Sequence, residues 1–67
     1  MSTQSAPQMT LDQAAEREEV LRNQARIFRA QAEDTAEAGD MVRSRKFADQ
    51  ARALEDDAAA LAEEFGA

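Results

Sequence analysis

The chain has 67 residues, neither cysteine nor histidine, and 14 acids against 8 bases, for a net charge of −6. A domain this small draws only about 3–5 kcal/mol from its core, and its composition denies it a disulfide and the usual ligands of a structural metal site. The acidic balance disfavours generic binding to nucleic acid or acidic membranes, no apolar run approaches a membrane span, and the N-terminus lacks the apolar stretch of a signal peptide.

Residues 1–9, MSTQSAPQM, are polar, uncharged and broken by Pro7, and read as a flexible tail. Thr10 then opens a helix. It can act as N-cap, Gln13 follows three residues on for a capping box, and Asp12 and Glu16 suit the positive end of a helix. From Leu11 to Ala38 there is no Gly or Pro, and Ala, Glu, Gln and Arg dominate. Gly39 reads as the C-terminal cap, and Asp40 as the N-cap of a second helix running from Met41 to about Phe65. Gly66 reads as its stop. At 1.5 Å per residue the two helices would be about 42 and 37 Å long.

A two-residue break between helices of similar length predicts an all-α, antiparallel two-helix hairpin over 10–67, with helices at about 11–38 and 41–65. The periodicity agrees. Leu11, Ala14, Glu18, Leu21, Ala25, Phe28, Ala32 and Thr35 keep an unbroken 3-4 spacing, as do Ser44, Phe47, Ala51, Leu54, Ala58, Leu61 and Phe65. The predicted hairpin core is therefore Leu21, Ala25, Phe28 and Ala32 against Phe47, Ala51, Leu54, Ala58 and Leu61. The turn sets Ala32 near Phe47, Phe28 near Ala51 and Ala25 near Leu54, so that large meets small.

That core is thin. Alanine supplies 16 of the 29 apolar residues, and of the 13 larger ones only 11 lie beyond residue 9. Val20 and Ile27 fall well to one side of the seam, with Gln24 and Gln31 between, while Ala48, Ala59 and Ala62 form a row of small residues flanking the seam of the second helix. The expectation is a spare face, built from Val20, Gln24, Ile27 and Gln31 with Ala48 and Ala62, that completes a bundle with another helical chain.

Charge is uneven as well. Residues 20–32 carry +3, residues 41–54 carry +3, and the rest sums to −12. Arg22, Arg26 and Arg29 share one helix face. Their plain reading is solvated pairing, Glu18 with Arg22 and Arg29 with Glu33, alongside Arg45 with Asp49 and Arg52 with Asp56; the sharper one is a stripe for an acidic partner or RNA. Catalysis is not expected. There is no His, only Glu18 among the acids takes a seam position, and no phosphate loop, nucleophilic Cys or calcium-loop spacing occurs. No cofactor is expected either.

The stretch Gly39-Asp40, then Phe47, then Gln50-Ala51-Arg52-Ala53-Leu54-Glu55 resembles the turn and second helix of the YscE/PscE-type proteins. The resemblance covers residues 36–62, and the first helix has no residue-level match. It implies a small cytoplasmic co-chaperone that joins a tetratricopeptide-like chaperone and helps keep the needle subunit of type III secretion unpolymerised. The alternating small and large layers are also similar to those of the Rop type of RNA-binding hairpin. That likeness implies a homodimeric four-helix bundle with the arginine face on RNA. A phage- or plasmid-borne inhibitor of a host regulatory protein is a further form of the same association.

Overall fold

A computed structural model describes residues 9–65. The expected tail, apart from Met9, and the expected stop at Gly66 lie outside the described residues. The chain forms two helices, α1 (Leu11–Glu37) and α2 (Met41–Phe65), packed against each other as a hairpin. No helix among the described residues is long and apolar enough to cross a membrane.

The capping chemistry places the start of α1 and both sides of the turn. Thr10 Oγ1 accepts from the Gln13 amide at 3.1 Å, and Gln13 Oε1 accepts from the Thr10 amide at 3.0 Å. Two otherwise orphan donors are satisfied in one reciprocal box. α1 ends one residue sooner than predicted. Ala38 is its C-cap, and Gly39 follows at φ 89°. The Gly39 amide then donates to Ala36 O at 3.0 Å and the Asp40 amide to Thr35 O at 2.8 Å. This is a Schellman closure, which needs the left-handed backbone that glycine adopts freely. Asp40 starts α2 at once, its Oδ1 accepting from the Arg43 amide at 3.0 Å.

The register is tied just above the turn. Ser44 Oγ donates to Ala32 O at 2.8 Å, bridging the helices, while Thr35 Oγ1 donates to the same carbonyl at 3.0 Å. Ala32 thus lies beside the first turns of α2, as the sequence register requires.

The core departs from the prediction in its large members. Leu21, Ala25, Ala32, Ala51 and Ala58 are buried, together with Ala14, but Phe28, Phe47, Leu54 and Leu61 are only half-buried. The cause is the alanine itself. Alanine has almost no side-chain volume, so the helices meet on it and leave no enclosed slot for a ring between them. Phe28 and Phe47 stand side by side at the seam's edge instead, ring centroids 6.1 Å apart and planes 26° from parallel. Large therefore also meets large. Leu11 continues the 3-4 spacing to the open end of the hairpin, where it shares a groove with Leu61 and Phe65 and is 66% exposed.

Candidate functional site

In a supercoiled helix pair residues seven apart fall in one column, and each helix has a column on either flank of the seam. On one flank lie Arg22 and Arg29 of α1, facing Ala48, Glu55 and Ala62 of α2. On the other lie Arg17, Gln24 and Gln31, facing Arg43, Gln50, Asp57 and Glu64. The grooves of the surface follow this division. Arg22, Arg26, Arg29 and Glu55 share one, and Arg17, Leu21, Asp57, Leu61 and Glu64 share another.

The first side is a charged one. Arg29 donates through Nε and Nη2 to the two carboxylate oxygens of Glu55, both at 2.7 Å. The hydrogen bonds hold the Glu55 carboxyl below its ordinary range and raise the already high Arg29 value. Arg22 pairs with Glu18 at 2.9 Å, and Arg26 Nη1 donates to Asn23 Oδ1 at 3.1 Å. Each guanidinium of the arginine stripe thus already has an acceptor within the chain.

Of the four ion pairs expected, Glu18–Arg22 forms. The other three do not occur among the described residues, where Arg29–Glu55 and Arg43–Asp40 (3.8 Å) complete the set. Arg29 leaves Glu33 for Glu55 because the carboxylate across the seam offers both oxygens to the planar fork. A pairing of facing flank columns could have found this contact in the sequence; a search limited to i,i+4 partners could not.

The second side carries part of the apolar surface; Met41 and Val42, 63% and 73% exposed, and a groove between Leu11, Ala15, Ala62 and Phe65 at the open end lie outside it. Its rim is the half-buried row Phe28, Phe47, Leu54 and Leu61. Beyond it come the exposed Gln24 and Gln31 and then Val20 and Ile27, 44% and 59% exposed. The expected partner surface is thereby divided. Val20, Gln24, Ile27 and Gln31 lie together on this side, whereas Ala48 and Ala62 are half-buried on the Glu55 side. What the sequence reading missed is the row of rings and leucines, which it had assigned wholly to the core.

Among the described residues no group of three or more His, Cys, Asp or Glu is placed to hold a metal ion. No family model, curated protein or solved structure matches the chain. Fold and surface together define a class, a non-globular helical hairpin with one side of paired charges and one whose middle, along α1, is uncharged.

Proposed function

We propose that the protein works without catalysis, as a helical interaction module whose uncharged side is covered by another helical chain. One observation carries this reading: among the described residues five of the six buried ones are alanine, and no large side chain is fully enclosed. Burial of apolar area is the main source of folding free energy, about 25 cal/mol per Å². A hairpin that leaves Phe28, Phe47, Leu54 and Leu61 only partly buried withholds the rest of that area until a partner takes it up. The arginine groove supports association less well, since its cations are already engaged within the chain.

The resemblance of the second helix gives the heteromeric form. There the cover is a tetratricopeptide-like chaperone, and the chain is a cytoplasmic co-chaperone for a type III secretion needle subunit. In the homomeric form the cover is a second hairpin, and the product is a four-helix bundle. Thermal unfolding at several protein concentrations tests the shared claim. A module of this kind is weakly helical alone, or melts at a temperature that rises with concentration or with added partner. A fully helical monomer with a cooperative, concentration-independent melt overturns it.

A further inference from the structure

The uncharged side has a pattern of its own. On α1 its two columns are Arg17, Gln24, Gln31 and Val20, Ile27, Asp34. Both are neutral in the middle and charged at one end, with opposite sign at opposite ends. On α2 the column Arg43, Gln50, Asp57, Glu64 runs from basic near the turn to acidic at the open end. On each helix this surface is basic toward one end and acidic toward the other, with Asp57 of α2 the charge nearest the middle, and such a surface is complementary to itself when reversed.

The heights of the charges agree. For Arg17 to meet Asp34 of a reversed copy, a two-fold axis must cross α1 midway between Ala25 and Arg26. For Arg43 to meet Glu64, it must cross α2 midway between Ala53 and Leu54. The turn spacing places Ala25 level with Leu54, between the registers of the Ser44–Ala32 and Arg29–Glu55 contacts, so one axis perpendicular to the helices satisfies both demands. The overall charge favours the same sense. Residues 9–24 and 53–65 sum to −7, whereas residues 25–52 sum to +1. A parallel pairing would bring the two acidic ends together, and a reversed one separates them.

Resting on the association reading above, we infer that the occupant of this side is a second copy of the chain, laid across it antiparallel about that axis. Arg17 faces the partner's Asp34, Arg43 faces the partner's Glu64, and Gln24 lies against the partner's Ile27. The two copies enclose the Phe28, Phe47 and Leu54 rows between them, and the Arg29–Glu55 pairs stay on the outside.

The natural chain has no cysteine, so single introduced thiols report contacts directly. Ala53→Cys lies beside the axis on the proposed contact side and should give a disulfide-linked dimer under mild oxidation. Ala59→Cys, on the Glu55 side, should not. By sedimentation of the full chain, Glu64→Arg alone should weaken the dimer about tenfold, and Glu64→Arg with Arg43→Glu should restore it to within about threefold. A dimer that cross-links through Ala59→Cys, or shows no rescue in the double variant, overturns the arrangement. A monomer of low helicity overturns the second copy as occupant but leaves the association reading standing. A stable, fully helical monomer overturns both.

Discussion

Arg29 and Glu55, 26 residues apart in sequence, are joined by two parallel hydrogen bonds of 2.7 Å across the outer edge of the hairpin. The fork-to-fork geometry makes this contact more specific than the i,i+4 pairs around it, since it fixes the height of one helix against the other. It also predicts a pH dependence. The Glu55 carboxyl is held below its ordinary value of 4.5 in the folded chain. Its contribution is therefore complete above that value and is lost as pH falls through the lowered one. The difference in thermal stability between the natural chain and Glu55→Gln should stay constant from neutral pH to about 4.5, then shrink to nothing in stronger acid. A difference that persists unchanged at pH 2 would remove the pair from the account.

Ala51 and Ala58 have no exposed surface at all, and they set the distance at which the helices meet. Enlarging either one cannot be absorbed by the seam. Ala51→Leu should cost about 1–3 kcal/mol in urea denaturation through overpacking, whereas Ala53→Leu, on the exposed side of the same helix, should leave the urea midpoint of an isolated hairpin unmoved. Phe47→Ala should cost less than the ~3–5 kcal/mol of a fully enclosed ring, because part of that ring is already in water. A full-sized loss at Phe47 in the isolated chain would mean that the ring is enclosed after all.

Gly39 has nothing within 4 Å of where a Cβ would stand, yet its φ is 89°. Any effect of substitution is thus a backbone effect. Gly39→Ala should destabilise the hairpin by about 1–2 kcal/mol, and Gly39→Asn by less, since asparagine tolerates the left-handed region. Equal losses in the two variants would point to a steric cause that the open space around Gly39 does not supply.

Much of this architecture was legible in the sequence because local chemistry carries it. Thr10 with Gln13, Gly39 and Asp40 punctuate the chain with residues that satisfy helix ends, and the 3-4 spacing of Leu21, Ala25, Phe28 and Ala32 selects one face. The depth of each seam residue was not legible. Spacing treats Ala25 and Phe28 as equal members of the seam, while the distance between two helices depends on which of them lies nearest the other backbone. The partner of Arg29 was legible only to a pairing of columns across the seam, not to a search within one helix. Glu33 and Glu55 are both within reach of a long side chain, and the choice between them rests on the two-oxygen geometry at Glu55.

Val20 and Ile27 test the uncharged side most directly. They are 44% and 59% exposed, so replacing them removes little from the hairpin itself. In the reversed dimer Val20 lies against the partner's Gln31 and Ile27 against the partner's Gln24. The double change Val20→Glu with Ile27→Glu therefore sets four carboxylates along the stretch of α1 that carries no charge on this side. Desolvating unpaired charge is costly, and like charges brought together across an interface add to that cost. Light scattering should show the assembly lost, while circular dichroism shows the helicity of the residual monomer kept. Ala30→Glu, on the exposed back of α1, supplies the control, since it adds a carboxylate without reaching either flank of the seam. An unchanged assembled mass in the double variant, or an equal loss in the control, would place the partner on another surface.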